Sequence, residues 1–317
     1  MELISVVVPC YNEEESLPLF YDEIIRVSDS MKAENDVEFE FVFVNDGSRD
    51  KTLILLRELA EKDSRVRYVS FSRNFGKEAA MIAGLEHTKG DYVVLLDADL
   101  QHPPKLIPQM YEYVSSGEYD CAATRRISRK GEPKLLSFFA GQFYRIINKI
   151  SQTQIVNGAQ DFRFMTRQMV DAIISMSEYH RFSKGIFSWV GFNTKFIEIE
   201  NTERAAGTTT WNFKKLFLYS LEGIMAFSTA PLALPIFLGI LSCIIAVIIF
   251  IVTLVQFFAS DISMARFANI VCLIMLMSGI TMICTGINGL YLSKTYMEVK
   301  HRPKYIVKET EENRPKN

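Results

Sequence analysis

The chain has 317 residues, enough for two domains, and its formal net charge of -2 at pH 7 gives no indication of a nucleic-acid partner. Its five cysteines are scattered without paired spacing, which argues against a disulfide framework or a cysteine metal cluster and fits a reducing compartment. The first residues enter a strand-like run without a basic leader, so we expect no signal peptide.

The first hundred residues alternate short apolar runs with segments of helical periodicity. We predict strands and helices in alternation, with strands over 4–9, 39–44, 66–70 and 92–96 and helices over 17–31, 51–62 and 77–88. Strands that alternate with helices in this way form a parallel sheet through right-handed crossovers. The sequence therefore predicts an α/β domain with a mostly parallel, Rossmann-like sheet.

Polar side chains follow three of the predicted strands: Asn12 with Glu13, then Asp46, then Asp97 with Asp99. In an open α/β sheet, ligands bind beyond the carboxyl ends of the strands. Alternation along an extended segment sends Asp97 and Asp99 to the same side, where carboxylates can hold Mg2+ or Mn2+ against a diphosphate. The glycine fingerprints of a dinucleotide fold and of a P-loop are missing, so a metal is the available means of meeting phosphate charge. The alternative for the aspartate pair is a simple strand-to-turn junction.

A basic and amphipathic region follows the aspartates. A predicted helix over 105–115 and a strand over 119–124 lead into five basic residues within ten positions, Arg125, Arg126, Arg129, Lys130 and Lys134. Residues 135–150 are apolar and aromatic on one side and cationic on the other, which is the composition of a helix in a membrane interface. An ordinary core helix shares this pattern, so both interpretations stay open. Further on, residues 196–199 alternate like an edge strand, and the four histidines show no spacing typical of a zinc site.

Two stretches near the C-terminus, residues 223–260 and 267–293, carry no charged side chain. Each exceeds the roughly 20 residues that cross a bilayer core, so we predict two transmembrane helices. The connection from Asp261 to Arg266 holds one base and one acid, whereas the tail after Ser293 holds seven basic residues. The positive-inside rule then places both termini and the sheet domain in the cytoplasm.

The predicted organisation has four parts. They are a sheet domain over 1–210, an amphipathic juxtamembrane helix over 211–228, the two transmembrane helices over 229–294 and a basic cytoplasmic tail over 295–317. We expect residues 303–317 of the tail to be disordered.

Four motifs, in order and at matching spacing, carry a family resemblance. They are Val-Val-Pro-Cys-Tyr-Asn-Glu-Glu over 7–14, Val-Asn-Asp-Gly-Ser-Arg-Asp over 44–50, Ser-Arg-Asn-Phe-Gly-Lys-Glu over 72–78 and Asp-Ala-Asp-Leu-Gln-His-Pro-Pro over 97–104. They resemble the family 2 inverting glycosyltransferases of GT-A fold. Within that family the whole chain is similar to polyprenyl-phosphate glycosyltransferases, namely dolichyl-phosphate mannose synthases and, more closely, two-helix bactoprenol glucosyltransferases.

The resemblance implies a donor site for a nucleotide sugar. The residues implied for donor binding are Pro9, Tyr11, Asn12, Glu13, Asp46, Lys77, Asp97, Ala98, Asp99 and Gln101. Among these, Asp97, Asp99 and Gln101 would surround Mg2+ or Mn2+ on the diphosphate. An isolated Asp46-Gly47 pair could also be a simple turn.

The acceptor side is implied with less detail. The catalytic set is Asp161, Asp99 and Arg204, and the phosphate or lipid set is Arg125, Arg126, Arg129, Lys130, Arg163, Arg204 and Lys214. Asp161 could act as a base, orient the acceptor or position Arg163, and a helix cap near Thr166 is the structural alternative. After Arg204 the chain departs from the family pattern, because Thr208-Thr209-Thr210-Trp211 replaces a segment with a basic residue.

The implied activity is inverting transfer of a hexose from a UDP-sugar to the phosphate of a polyprenyl lipid such as undecaprenyl phosphate. Glucose and N-acetylglucosamine are the first two choices of sugar, and galactose-type, mannose and modified arabinose donors stay open. The location is the cell membrane, and the two-helix relatives suggest a homo-oligomer such as a tetramer. A processive polysaccharide synthase usually has a Gln-x-x-Arg-Trp motif and more spans than this chain. A non-catalytic membrane scaffold would predict a damaged acidic set, whereas Asp46, Asp97 and Asp99 are all present.

Overall fold

The computed structural model describes residues 1–126, 141, 145, 148–149, 154–179, 181–199, 228, 230–258 and 265–314. These residues belong to two compact units. The first comprises Met1–Ala226 with Pro303–Asn317, and the second comprises Phe227–Arg302. We call them the sheet unit and the hairpin unit.

The sheet unit contains one eight-stranded sheet. Its strands are Glu2–Cys10 (β1), Val37–Asn45 (β2), Val66–Phe71 (β3), Tyr92–Leu95 (β4), Cys121–Arg126 (β5), Ala159–Thr166 (β6), Thr194–Ile199 (β7) and Val307–Thr310 (β8). Their spatial order is β7-β5-β6-β4-β1-β2-β3-β8. The four N-terminal strands pair in parallel, as predicted, and β7 lies at an edge, also as predicted. Strands β6 and β8 run antiparallel to their neighbours, so the sheet is mixed.

Helices cover both faces of this sheet. They are Leu17–Asn35 (α1), Thr52–Lys62 (α2), Lys77–Glu86 (α3), Ile107–Ser115 (α4), Arg167–Ser175 (α5) and Ser183–Trp189 (α6). On one face, α1 and α4 pack their apolar side chains against Phe41, Phe43 and Phe164. On the other face, α3 lies so close to β1 that a Cβ on Gly84 would stand 2.2 Å from a methyl of Val7. Glycine therefore permits the close packing of α3 on the central strands.

The order of the central strands determines where a ligand can enter. Strand β1 lies between β2 and β4, so the chain proceeds from β1 to one side and later crosses to the other. Such a reversal opens a crevice beyond the carboxyl ends of the strands. The polar residues that follow β1, β2 and β4 all lie at this edge.

The prediction that residues 303–317 are disordered is wrong for the residues up to 314 that the structure describes. After the hairpin unit the chain returns, and β8 pairs antiparallel with β3. Glu309 on β8 is 2% exposed and accepts two hydrogen bonds from the Arg57 guanidinium, at 2.8 and 2.6 Å. The polar composition of the tail suggested disorder. The ion-pair partners of the tail could not be recognised locally, because they lie about 250 residues earlier in the chain. The tail is thus part of the sheet unit and not a separate segment.

The hairpin unit contains two long apolar helices, Ala230–Phe258 (α7) and Ala265–Val299 (α8). Windows within them, Pro231–Ile249 and Leu273–Val299, are long and apolar enough to cross a membrane by length and composition. The Tyr291 hydroxyl donates a hydrogen bond of 2.7 Å to the carbonyl of Ser228 within this unit. Residues 211–227 of the predicted juxtamembrane helix and most of the predicted interfacial helix over 135–150 lie outside the described residues.

Candidate active site

The loops after β1 and β2 are bonded to each other. The Asn12 amide donates to the Ser48 hydroxyl at 3.0 Å, and the Asn12 side-chain oxygen accepts from the Arg49 amide at 2.9 Å. The Glu13 amide donates to the Thr52 hydroxyl at 2.8 Å. Asn12 has a φ of +56°, a backbone conformation that asparagine tolerates better than most residues. These bonds join the two loops into one rim. They fix the backbone positions of the predicted donor residues Asn12 and Glu13.

The other predicted donor residues of this region differ in their exposure. Tyr11 is 41% exposed at the rim, and Pro9 is half-buried near the end of β1. Ala98 is 1% exposed and points into the hydrophobic core, so a side-chain contact between Ala98 and the donor is excluded in this structure. Only its backbone is left for the donor role that the resemblance implied.

Asp46 joins the end of β2 to the loop that precedes α3. Its carboxylate accepts hydrogen bonds from the amides of Phe75 and Gly76, at 2.6 and 2.9 Å, and the residue is only 3% exposed. Burial raises the pKa of Asp46 to about 6, although the two amide bonds favour the ionised form. Next to it, Gly47 has a φ of +64°, and a Cβ there would lie 2.4 Å from the carbonyl carbon of Arg73. The Asp46-Gly47 pair is therefore more than a turn, because it holds the 72–76 loop.

Asp97 and Asp99 converge as predicted, but for a different geometric reason. Strand β4 ends at Leu95, so Asp97 follows the strand and Asp99 lies in the turn after it. Leu100, the next residue, has a φ of +57°. The Gln101 amide donates to an Asp99 carboxylate oxygen at 3.1 Å and closes the turn. Turn geometry, and not strand alternation, brings the carboxylates together.

The turn also brings His102 to the aspartates. One ligand atom from each of Asp97, Asp99 and His102 lies within 4.8 Å of the others. His102 is 6% exposed, and its Nδ1 atom is buried without a hydrogen-bond partner among the described residues. Burial lowers the pKa of His102, so the imidazole is neutral and can act as a ligand. Two carboxylates and an imidazole suit Mn2+ or Mg2+, and the unpartnered nitrogen supports the fit. We call these three residues the acidic trio.

Asp161 lies beside the trio because of the register of β6. Leu95 on β4 pairs with Arg163 on antiparallel β6, so Asp97, two residues after Leu95, comes alongside Asp161, two residues before Arg163. The Lys77 ammonium, at the first position of α3, donates to Asp97 at 2.8 Å and to Asp161 at 2.7 Å. Burial alone would raise the pKa of Asp161, but Lys77, Lys184 and Arg163 hold it well below its usual range. One lysine thus joins the predicted donor and acceptor carboxylates. The helix that follows β6 has Thr166 as its cap and leaves Asp161 without a capping role.

Arg163 is buried in this structure. It is 3% exposed, and its guanidinium carbon lies 4.1 Å from the centre of the Phe187 ring on α6. It lies on the same face of β6 as Asp161, two residues away, and it favours the negative charge of Asp161. Its predicted contact with a lipid phosphate stays a prediction.

The remaining predicted phosphate residues are distributed unevenly. Arg125 forms an ion pair with Glu198 across β5 and β7, and Arg126 is half-buried at the end of β5. Four further predicted residues lie outside the described part of the chain: Arg129, Lys130, Arg204 and Lys214. The structure therefore brings Lys77, Asp97 and Asp99 together with Asp161, while the basic residues of the acceptor side stay predictions.

Three residues near the site were not selected from the sequence. His102 follows Asp99 by three positions, and this Asp-x-Asp-x-x-His spacing was the available signal. Lys184 acts electrostatically on Asp161, and Glu78 accepts hydrogen bonds from the amide and hydroxyl of Ser183 at the start of α6. Burial raises the pKa of Glu78 to about 7. No local pattern indicates Lys184 or Glu78, because tertiary packing brings them to the site. Packing of α6 against α3 and β6 brings Lys184 near Asp161 and Glu78 into contact with Ser183.

A mixed α/β sheet with an acidic trio beyond its central strands defines a glycosyltransferase domain of the GT-A type. The model of the family described as Glycosyl transferase family 2 matches residues 5–174, and the chain belongs to this family.

Curated relatives match nearly the full length of the chain. The "Prophage bactoprenol glucosyl transferase homolog" of Escherichia coli (strain K12) is 40% identical over 305 residues, which cover 96% of this chain and 98% of the relative. The "SfII prophage-derived bactoprenol glucosyl transferase" of Shigella flexneri is 38% identical over 312 residues, or 98% of this chain and 99% of the relative. Among solved structures, glucosyl-3-phosphoglycerate synthase from Mycobacterium tuberculosis, in complex with Mn2+ and UDP-glucose, is 20% identical with a TM-score of 0.45, over 71% of this chain and 78% of that chain.

Proposed function

We propose that this protein transfers glucose from UDP-glucose to the phosphate of a polyprenyl lipid such as undecaprenyl phosphate, with inversion at the anomeric carbon. The observation that carries the proposal is the bridge from Asp97 of the acidic trio through Lys77 to Asp161. Such a bridge suits a site in which a donor diphosphate and an acceptor phosphate meet. Similarity to bactoprenol glucosyl transferases over nearly the whole chain supports this acceptor and this sugar.

On the donor side, the rim of Tyr11, Asn12 and Glu13 and the Asp46 region would receive the nucleoside. The Asp46 carboxylate keeps acceptor capacity, because each of its oxygens can take more than one hydrogen bond. Asp97, Asp99 and His102 would hold Mg2+ or Mn2+, with Gln101 beside them. A bound cation neutralises charge on the departing diphosphate.

On the acceptor side, the nucleophile needs no general base. A phosphate monoester has a second pKa of about 6, so near neutral pH the lipid phosphate is mostly dianionic. Asp161, whose pKa is held far below its usual range, stays ionised and is a poor proton acceptor. Its role in our proposal is therefore to orient Lys77 and the acceptor. Lys77 and Lys184 supply the positive charge that two mutually repelling phosphate groups require.

In the proposed step, a lipid phosphate oxygen attacks the anomeric carbon from the face opposite to the leaving group. The new bond joins this oxygen to the anomeric carbon, while the bond from that carbon to the diphosphate oxygen breaks and UDP leaves with the electron pair. No net proton transfer is needed. Preorganised positive charge at the leaving oxygens is the main source of rate in such a site.

The membrane part of the proposal uses the hairpin unit. Helices α7 and α8 would cross the cell membrane, with both termini and the sheet unit in the cytoplasm, where nucleotide sugars are made. Arg125 and Arg126, together with Arg129, Lys130, Arg204 and Lys214, would then contact lipid phosphate. A homo-oligomer such as a tetramer stays part of this proposal.

Transfer of radiolabel into organic-extractable lipid tests the function. Purified protein, undecaprenyl phosphate and Mn2+ are incubated with labelled UDP-glucose or UDP-N-acetylglucosamine, with EDTA as a control. We expect label from UDP-glucose to enter the lipid, and this label to be lost with EDTA and in Asp99→Ala. In the control Asp171→Asn, which removes an exposed charge elsewhere in the chain, the transfer of label should be kept. Label from UDP-N-acetylglucosamine but not from UDP-glucose would show that the transferred sugar is N-acetylglucosamine and not glucose. Absence of label from every donor would contradict the proposed reaction and favour a scaffold.

A further inference from the structure

The tail that follows the hairpin unit packs behind the donor side of the sheet unit. Tyr305, two residues before β8, stacks on Phe71 at the end of β3 with ring centres 4.9 Å apart and an angle of 19° between the planes. Phe71 in turn meets Phe75 edge to face at 5.7 Å. The Ser72 amide donates to the Ile306 carbonyl at 3.0 Å. The tail and the 72–76 loop are thus in direct contact.

This loop carries two connections to the candidate active site. The amides of Phe75 and Gly76 hold the Asp46 carboxylate, and Lys77, the next residue, bridges Asp97 and Asp161. A shift of Phe75 would therefore change the support of Asp46 and the position of the Lys77 ammonium together.

Tyr305 also contacts the helix that begins with Lys77. It packs against a cluster of buried side chains that includes Ala79, Ala80 and Ala83 on α3, and its hydroxyl donates to Glu86, the last residue of that helix. The ring therefore supports both the loop before α3 and α3 itself. This double contact restricts how α3 can move along or about its axis.

The tail keeps its place by contacts that do not involve Tyr305. Glu309 pairs with Arg57, and Glu311 accepts from the Arg67 side chain at 2.9 Å and from the Tyr68 amide at 3.1 Å. Removal of the Tyr305 ring should therefore leave β8 paired with β3. A Tyr305 variant can report on loop position without loss of the whole tail.

We propose that Tyr305 is a positioning residue for the donor site, which acts through Phe71, Phe75 and α3 on Asp46 and Lys77. Residues after the hairpin unit thereby set the geometry in which the nucleotide sugar binds. The proposal rests on the proposed function, since the ligand of that loop is taken to be the nucleotide of the donor.

Nucleotide binding and kinetics test this inference on the full-length protein. We compare wild type, Tyr305→Ala, Tyr305→Phe and Ile306→Ala, the last being a truncation of a neighbouring side chain that is 52% exposed. Calorimetry measures Kd for UDP with Mn2+, and the lipid-transfer assay separates KM for UDP-glucose from kcat. We expect Tyr305→Ala to raise Kd and KM at least tenfold, while Tyr305→Phe, which keeps the stack, and Ile306→Ala stay within about threefold of wild type.

Amide hydrogen exchange in the absence of ligand provides a second measurement. In Tyr305→Ala we expect faster exchange at Phe75 and Gly76, with exchange in β1 and β4 unchanged. If Tyr305→Ala binds UDP like wild type, or if exchange at these two amides is unaltered, the inference is overturned. If wild type itself does not bind UDP, the proposed function fails, and exchange alone then decides whether Tyr305 positions the loop.

Discussion

Lys77 shares its ammonium between two carboxylates that come from different strands, Asp97 after β4 and Asp161 on β6. Burial disfavours its charge, yet the two acids raise the pKa of Lys77 above its ordinary value, so it is charged at any working pH. The same two bonds explain why Asp161 is ionised and why it is unsuited to take a proton. At the residue scale, the site is therefore one coupled group of charges and not a set of separate contacts.

Replacement of Lys77 separates catalysis from metal binding. In Lys77→Met we expect kcat for transfer to fall about 100-fold, because the positive charge near the reacting phosphates is lost. The apparent Mn2+ affinity should not weaken, since Asp97 loses a competing cation. Steady-state kinetics at several Mn2+ concentrations measures both quantities, and Lys62→Met at an exposed site serves as the control. A kcat close to wild type would contradict the role of Lys77.

Replacement of His102 should have the opposite signature. His102→Ala removes one of three ligands from the acidic trio, so we expect the apparent affinity for Mn2+ to fall at least tenfold, about 1.4 kcal/mol. Calorimetric titration of Mn2+ in the presence of UDP measures this change. The control is His301→Asn, at an exposed position with a φ of +48° that asparagine accepts. Unchanged Mn2+ affinity in His102→Ala would remove the histidine from the metal site.

At the scale of elements, β8 closes an otherwise open edge of the sheet. It covers the free side of β3. Glu309 on β8 pairs with Arg57 on α2, and Glu311, just after β8, pairs with Arg67 on β3. Covered edges also reduce the risk that strands of different molecules pair. Because Phe71 ends β3 and Tyr305 precedes β8, this pairing and the 72–76 loop share one junction. Edge closure and support of the donor side thus come from the same segment.

The Glu309 ion pair should stabilise the sheet unit in a pH-dependent way. Its hydrogen bonds with Arg57 lower the pKa of Glu309 below the ordinary value of 4.5. A lowered folded-state pKa contributes stability that is complete above about pH 4.5 and is lost as pH falls through the lowered value. We expect Glu309→Gln to cost about 2 kcal/mol at pH 7 and progressively less below pH 4.5.

Thermal unfolding of wild type and Glu309→Gln in detergent from pH 3 to pH 7 measures this contribution. Glu61→Gln is the matched control, because Glu61 also pairs with an arginine but is 65% exposed at its side chain. Exposed pairs contribute little, so its unfolding temperature should follow wild type. Equal stability of wild type and Glu309→Gln at pH 7 would show that β8 does not depend on this pair.

At the scale of the whole molecule, the chain leaves the sheet unit, forms two apolar helices and returns to the same unit. The chain has to return because β8 belongs to the sheet unit although it follows α8 in sequence. If the helices span a membrane, the segments before α7 and after α8 must lie on one side of it. The pairing of β8 with β3 therefore supports an even number of membrane crossings, independently of charge distribution.

Cysteine labelling in intact cells tests this topology. Ser263→Cys lies in the connection between the two apolar helices, and Ser64→Cys lies on the exposed surface of the sheet unit. We expect a membrane-impermeant maleimide to label Ser263→Cys from outside and to label Ser64→Cys only after cell lysis. Labelling of Ser64→Cys in intact cells would place the sheet unit outside and contradict the proposal that it meets a cytoplasmic donor.

Much of the fold could be predicted from local patterns. Continuous apolar runs predicted the parallel strands, and Asn12, Glu13, Asp46 and Asp97 could be placed beyond the strand ends because they follow strands closely. His102 was missed although it lies three residues from Asp99, because its burial and its orphan Nδ1 are not visible in spacing alone. The burial of Arg163 was not predicted, because an arginine on a strand looks the same in sequence whether it is exposed or packed on Phe187.

The sequence by itself determined the alternation of strands and helices, the carboxyl-end loops and the two apolar spans, since each depends on neighbours within a few residues. Only the tertiary structure decided that β6 aligns Asp161 with Asp97, that Lys77 bridges them and that the tail returns to β3. These contacts join positions 20 to 244 residues apart. Their existence depends on strand order and register, which arise from packing the whole sheet and leave no periodic trace in the chain.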